Sequence, residues 1–160
     1  MSGLIGGVGS KSGIVISGRP AFMAYLSSGA NADNNEKVLF NTLRYNVGAG
    51  FWTSDNTFHA PVSGVYSFTI NVSFNGLADS GAYFGFQFVT NNIGATGDGS
   101  WMWIWENSKG HDYWSNNVTR EFELAAGNTC YVYRNGSAGG QYSSIRAGMN
   151  DTTFSGHLVG

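Results

Sequence analysis

The fold of this chain follows from one segment, Phe58-His59-Ala60-Pro61-Val62-Ser63-Gly64-Val65-Tyr66-Ser67-Phe68. Pro61 has no backbone N–H to donate to a neighbouring strand, so it predicts a strand start or a corner. Gly64 has no Cβ atom and permits a tight backbone path at that corner. The segment therefore predicts a turn that leads into a strand starting near Val65.

The residues after Val65 alternate strictly between apolar and polar side chains. The apolar set is Tyr66, Phe68, Ile70, Val72 and Phe74, and the polar set is Ser67, Thr69, Asn71 and Ser73. Successive side chains of a β-strand point to opposite faces of its sheet. A period of two residues over this length therefore predicts a long strand with one buried face and one polar face.

The composition indicates a single domain whose surface carries few charges. The 160 residues are enough to enclose one core. Only 11% of them are charged, against about 25% in typical globular domains, while 15% are aromatic and 42% are hydrophobic. The polar surface must therefore come from Ser, Thr, Asn and Gly, which is typical of loop-rich β-proteins such as lectins and virion proteins.

Charge and hydropathy argue against two classes of partner. The formal net charge is -2 and the Lys and Arg residues form no cluster, so we expect no nucleic-acid binding. No run approaches the ~20 apolar residues that a transmembrane helix needs, so we expect no membrane insertion.

Further short strands are predicted on both sides of the central one. The predicted strand regions are 21–26, 38–45, 65–74, 82–89, 101–105, 118–124, 130–134 and 152–159. Turn residues separate them, and no segment has a convincing helical period. Roughly eight to ten short strands at this spacing predict an all-β sandwich or jelly roll.

The strand and turn pattern resembles the globular C1q/TNF-like family. The family motif is roughly Phe-x-Ala/Cys-Pro-x-x-Gly-x-Tyr-x-Phe, and the segment Thr153-Phe154-Ser155-Gly156-His157-Leu158 is similar to the family's last strand. The fold-signature residues are Phe58, Pro61, Gly64, Tyr66, Phe68, Phe154 and Gly156. The resemblance implies a jelly-roll sandwich of about ten strands that packs as a homotrimer, recognises partners and has no enzymatic activity.

A Gly-rich segment precedes the globular part. We expect residues 1–18 to form an anchoring arm and residues 19–160 to form the jelly-roll domain. The candidate anchor residues are Leu4, Ile5, Val8, Lys11 and Ile14. The arm is similar to the short Gly-Ser-Lys-Ser-Gly openings of some bacteriophage tail and fibre proteins, which implies a capsid or tail protein as its partner.

The first sixteen residues do not have the pattern of a secretory signal peptide. They lack a basic start, Lys11 interrupts them, and glycines replace a compact leucine core. We therefore expect a protein that is assembled in a host cytoplasm, located in the virion and released by lysis.

Catalytic and metal-binding patterns are weak throughout. The segment Gly9-Ser10-Lys11-Ser12 lacks the Gly directly before Lys that a phosphate-binding loop needs. The single cysteine, Cys130, lies in an apolar run and is expected to be a buried core thiol. We expect no catalytic residues and no bound cofactor. Calcium is a candidate because six aspartates fall in predicted loops, but no ligand set can be assigned.

The run Trp101-Met102-Trp103-Ile104-Trp105 is the main candidate for a ligand or trimer contact. Tyr113 and Trp114 follow soon after it. One interpretation is a stacking platform for sugar rings or an adhesion patch. The other is burial, with one face in the sandwich core and the other at the trimer axis.

Two functions remain open at this point. The first is a non-enzymatic structural protein of a bacteriophage particle, a trimeric decoration or tail-fibre module with a host-surface glycan or protein as a candidate partner. The alternative is a soluble C1q-type lectin that a cell releases to bind glycans.

Overall fold

The computed structural model describes residues 18–27, 36–75, 83–91, 101–105, 113–136 and 144–160. It describes only the backbone of residues 75, 83, 84, 101–105, 113, 114, 136 and 144. Within these ranges the chain forms two β-sheets and no helix. Accordingly, none of the described segments could cross a membrane as a helix.

Sheet A contains the long central strand and both ends of the domain. Its strands are β1 (Ala21–Tyr25), β3 (Thr42–Val47), β6 (Gly64–Asn75), β9 (Tyr113–Leu124), β11 (Ser144–Ile145) and β12 (Thr153–Leu158). β6 pairs with β9 along one edge and with β12 and β11 along the other, and β12 continues the sheet to β1 and then β3. All of these pairs are antiparallel.

Sheet B contains the remaining strands. They are β2 (Glu36–Lys37), β4 (Phe51–Trp52), β5 (Thr57–His59), β7 (Tyr83–Thr90), β8 (Trp101–Trp105) and β10 (Thr129–Gly136). The order is β4-β5-β10-β7-β8, and β2 pairs with the other end of β10 beyond β5. The two antiparallel sheets with crossing connections confirm the predicted jelly-roll sandwich.

Phenylalanine rings fill the space between the sheets. Phe68 of β6 lies 5.2 Å from Phe58 of sheet B and 5.8 Å from Phe154, measured between ring centroids. Phe22 stacks on Phe51 at 4.9 Å, which joins β1 to the β4–β5 hairpin. Edge-to-face and offset stacked pairs of this kind add to the gain from burying apolar area. The core therefore depends on aromatic interdigitation between the two sheets.

The central strand has the predicted faces. The core side of β6 is fully buried at Tyr66, Phe68, Ile70, Val72 and Phe74. The Tyr66 hydroxyl donates to the Val62 carbonyl at 2.8 Å, which fixes the corner at Pro61 to the strand that follows it. Burial raises the pKa of Tyr66, so the phenol stays protonated and remains a donor.

The prediction of one strand over 38–45 was wrong. The chain pairs with sheet B at Glu36–Lys37, crosses to sheet A, and resumes pairing at Thr42–Val47. Val38 and Phe40 are buried in the crossing segment, while Leu39 between them is 44% exposed. The alternation at 38–40 therefore belongs to a connection between the sheets that buries two of its side chains in the core. A period of two residues alone cannot distinguish such a connection from a strand.

A short hairpin that the sequence did not predict leads into the motif segment, whose first residues, Phe58 and His59, lie in β5. β4 and β5 pair Phe51 with Phe58 and Trp52 with Thr57. Asn56 in the connecting turn has φ 54°, a left-handed conformation that Asn tolerates better than most residues. The strands are two and three residues long, which is too short to show a period of two.

Gly156 tests the close packing between β12 and the aromatic core. A Cβ atom at Gly156 would lie 2.5 Å from Cδ1 of Phe68 and 2.8 Å from Cε1 of Phe22. We expect Gly156→Ala to lower the free energy of unfolding by about 1–3 kcal/mol, because neither ring has room to move. Chemical denaturation at fixed protein concentration measures this. Ser155→Ala, on the opposite face of β12, is the matched control, and equal stability of the two variants would contradict the packing.

Cys130 tests the depth of the core. Its side chain is completely buried, and that burial raises the pKa of the thiol well above its ordinary value. We expect iodoacetamide to leave the native thiol unmodified at pH 8, since only the thiolate reacts, and to label it in denaturant. Folding disfavours the thiolate, so this group makes the protein less stable as pH rises above the thiol's ordinary pKa. Rapid labelling of the native protein would show that β10 is accessible.

Candidate functional site

The outer face of sheet A, the side away from the core, is a continuous surface across five strands. One cross-strand row runs Tyr45, Met23, Ser155, Thr69 and Thr119, from β3 to β9. Each neighbouring pair in the row is opposite in register, so the five residues share one face. The row changes from apolar at β3 and β1 to hydroxylated at β12, β6 and β9.

Hydroxyl groups link the polar half of this face. The Oγ1 atoms of Thr69 and Thr119 are 2.7 Å apart, and so are the Oγ atoms of Ser73 and Ser115. Ser73 Oγ also donates to the Asp151 carbonyl at 2.9 Å. These bonds orient short side chains across the β6–β9 pair and leave a polar surface.

The apolar half of the face is open to solvent in the single chain. Tyr45 is 45% exposed and Val47 is 43% exposed, and both belong to the edge strand β3. Met23 and Tyr25 on β1 are partly buried. Exposed apolar side chains that lie together on a sheet are typical of an interaction surface.

A second candidate surface lies at the β4–β5 edge of sheet B. The indole of Trp52 stacks on the imidazole of His59 with ring centroids 3.9 Å apart and an interplanar angle of 20°. His59 Nε2 is 2.8 Å from Asp55 Oδ2, and the other carboxylate oxygen accepts a bond from the Thr57 N–H at 3.1 Å. We call Trp52, Asp55 and His59 the Trp52 platform.

Neighbouring residues hold the platform in place. Asn46 donates to the Phe51 carbonyl at 2.8 Å and accepts from the Phe51 N–H at 3.1 Å, which ties β3 to the hairpin. Lys37 Nζ donates to the Asp55 carbonyl at 3.0 Å and to Thr57 Oγ1 at 2.9 Å. The same ammonium group lies 4.2 Å from the ring centroid of Tyr131, a cation–π distance.

The tryptophan-rich strand forms the other edge of sheet B. Register places Trp101 opposite Gln87, Trp103 opposite Gly85, and Met102 opposite Phe86. Phe86 belongs to the core, so the three tryptophan positions fall on the outer face of sheet B rather than between the sheets. The conformations of their side chains, and of those of Tyr113 and Trp114, lie outside the described part of the chain.

The remaining predicted residues divide into two groups. The fold-signature residues Phe58, Tyr66, Phe68 and Phe154 are brought together in the core. Gly64 is required for close approach, because a Cβ atom there would lie 2.7 Å from Leu158 Cδ1. The candidate anchor residues Leu4, Ile5, Val8, Lys11 and Ile14 lie outside the described residues.

Within the described ranges, no group of three or more His, Cys, Asp or Glu side chains is arranged to hold a metal ion. A depression of about 490 Å³ lies near the end of the sandwich, lined by Ser63, Gly64, Glu123, Leu124, Ala125 and Asn128. Ser63 Oγ and Asn128 Oδ1 accept backbone N–H groups of residues 126 and 125 there, so these polar groups serve the loop itself.

Comparison with known proteins agrees with this architecture. The sequence profile of the C1q domain matches residues 21–159. The chain belongs to the C1q domain family. The match begins at the first strand and ends after the last, so it covers both sheets.

Two solved structures share the fold of this C1q domain. The globular domain of zebrafish complement 1qA superposes with a TM-score of 0.65 at 15% identity, covering 89% of this chain and 98% of that one. Murine APRIL at pH 8.5 superposes with a TM-score of 0.63 at 11% identity, covering 88% of this chain and 99% of that one. No curated protein sequence matches the chain.

The Trp52 platform is the feature that the sequence interpretation missed. Its signals were the carboxylate and imidazole four residues apart, at Asp55 and His59, around a turn that contains Asn56. The stacking of Trp52 on His59 depends on the pairing of β4 with β5, which the residue pattern does not show.

Proposed function

We propose that this C1q domain is a non-enzymatic homotrimeric binding module displayed on a bacteriophage particle. The observation that carries the trimer is the outer face of sheet A, on which exposed Tyr45 and Val47 border a polar surface. Family membership supports the same assembly.

The two halves of the outer face suit contact with other copies of the chain. In a trimer with a three-fold axis, each subunit contacts its two neighbours through two different surfaces. The two unlike halves of the outer face could therefore contact different neighbours. The apolar β3 edge would bury Tyr45 and Val47, while the hydroxyl rows at Thr69–Thr119 and Ser73–Ser115 would lie where the surface remains polar. The exposed Glu121 and Glu123 of β9 share this face with Thr119 and would lie in its polar half.

The location on a particle rests on the sequence of the arm. Residues 1–18 resemble phage tail and fibre openings, and the low charge is typical of virion proteins. In this proposal the arm binds a capsid or tail protein, and the C1q domain projects outward as a decoration or fibre-tip module that contacts the host surface.

A second candidate function is a soluble C1q-type lectin released by a cell. The observation in its favour is the aromatic outer face of sheet B, where Trp52 is 51% exposed at one edge and the tryptophan positions of β8 form the other. Both functions place ligand recognition on this face, and they differ in where the protein resides.

Tyr45→Glu tests the assembly. The wild-type protein should have a native mass of about 51 kDa, three times the 17.1 kDa chain, by light scattering after size exclusion. The introduced carboxylate would be buried without a partner in the interface, so we expect the variant to shift toward the monomer. Leu39→Glu, a charge placed at an equally exposed residue away from this face, should leave the trimer intact. A monomeric wild type, or equal dissociation of both variants, would contradict the proposed interface.

Mass spectrometry of purified particles tests the location. We expect the chain to be present at a fixed copy number in intact virions and to remain after washing in high salt. Trimming residues 1–18 should release it from particles while the C1q domain stays trimeric. Its presence only in lysate, never on particles, would overturn the virion role and favour the released lectin.

A further inference from the structure

We infer that the Trp52 platform is a binding site for the ring of an uncharged sugar residue. The inference deepens the proposed function by naming the ligand class and the side chains that would contact it. It differs from the tryptophan-rich strand as a site, because it uses the opposite edge of sheet B.

The indole presents an open ring surface. His59 covers one face of the Trp52 ring at a centroid distance of 3.9 Å, yet the residue is still 51% exposed. The open area is therefore mainly the opposite face and the outer edge. A pyranose ring has one surface of C–H groups, and that surface loses water favourably against a flat aromatic ring of similar size.

The platform is rigid before any ligand binds. Trp52 Nε1–H donates to the Ala49 carbonyl at 3.2 Å, which fixes the rotation of the indole. The Asp55 carboxylate holds the His59 ring through Nε2, and the backbone N–H of His59 donates to the Gly50 carbonyl at 2.7 Å. A sugar would therefore not have to immobilise a mobile side chain, and that loss of entropy is a major cost of weak binding.

A polar acceptor lies next to the stacked rings, because Asp55 Oδ2 is 2.8 Å from His59 Nε2. The Asp55 side chain is 42% exposed, and its carboxylate has about four acceptor positions, of which Thr57 N–H and His59 Nε2 occupy one each. The remaining positions can accept sugar hydroxyl groups. Stacking on an aromatic ring beside a carboxylate acceptor suits a polyhydroxylated ring better than a purely apolar ligand.

The local charges favour a neutral sugar over an acidic one. Asp55 carries one negative charge, and the Lys37 ammonium group nearby is held by the Asp55 carbonyl, Thr57 Oγ1 and the Tyr131 ring. The charges of Asp55 and Lys37 balance, so these two groups give no net attraction for a phosphate, a sulfate or a sialic acid. The Asp55 carboxylate is held by the His59 ring that stacks on the indole, and it would instead repel these anions.

Trimerisation would increase the overall affinity of platforms that each bind one sugar weakly. A single stacked sugar binds weakly, but three copies on one trimer raise the avidity for a surface with repeated glycans. This gain rests on the proposed trimer. Binding of one sugar to one platform does not.

The test follows the indole N–H resonances of the ¹⁵N-labelled full chain by NMR during titration with methyl glycosides of glucose, galactose, mannose and N-acetylglucosamine. The resonance that is missing in Trp52→Phe identifies Trp52. We expect this resonance to shift with at least one of these neutral glycosides. For variants without this indole, binding is followed by the backbone amide resonances around the platform: Trp52→Ala should weaken it by at least about tenfold, while Trp52→Tyr should retain most of it. Leu39→Ala is the control for loss of an exposed apolar side chain and should bind like wild type.

Several results would overturn the inference. No shift of the Trp52 resonance with any of the four glycosides would do so, as would shifts confined to another indole. Methyl sialoside titrated in the same way should give no response, and a response to it alone would show that the charge argument is wrong. The native mass of the same samples distinguishes the two proposals. A trimer without a Trp52 response would contradict the sugar site and support the trimer. A monomer that gives the response would contradict the trimer and support the sugar site.

Discussion

The interdigitation of phenylalanine rings between two antiparallel sheets is the constraint on which the rest of the structure depends. Phe68 at the centre of β6 contacts rings from both sheets, and Gly156 opposite it provides the space that its ring occupies. Because every second residue of each strand is committed to this core, the residues between them must face outward. The sandwich therefore has two outer faces whose chemistry is free to differ, and in this chain it does.

The two outer faces have different proposed functions, subunit contact for sheet A and ligand binding for sheet B. The outer face of sheet A has exposed Tyr45 at one edge and paired hydroxyl groups at the other, which suits contact with further copies of the chain. The outer face of sheet B is aromatic at both edges, and its middle is covered, since Gln87 and Val89 there are buried. At the exposed β4–β5 edge, Trp52 is held by His59 and Asp55 in an orientation suited to a flat ligand. Assembly and recognition would thus use opposite sides of one core.

The parts of the fold that could be predicted are those that depend on local periodicity. The alternation after Val65 is long enough to identify both faces of β6, and the corner at Pro61 and Gly64 follows from backbone chemistry. The segment at 38–40 alternates for a different reason, because Val38 and Phe40 plug the end of the sandwich while the chain crosses between sheets. The Trp52 platform could not be predicted, since two-residue and three-residue strands carry no period and the contact of Trp52 with His59 requires their pairing. For Trp101–Trp105, the sequence identified the strand, and only the register with β7 assigns its tryptophan positions to the outer face.

Oxidative footprinting of the native protein, read residue by residue by mass spectrometry over a range of concentrations, tests the division between the two faces most directly. Tyr45 and Trp52 are similarly exposed in the single chain, at 45% and 51%. If copies of the chain cover the outer face of sheet A, Tyr45 should be protected at high concentration and become reactive on dilution, while Trp52 stays reactive throughout. Equal reactivity of both residues at every concentration would contradict the account, and so would protection of Trp52 with Tyr45 left open.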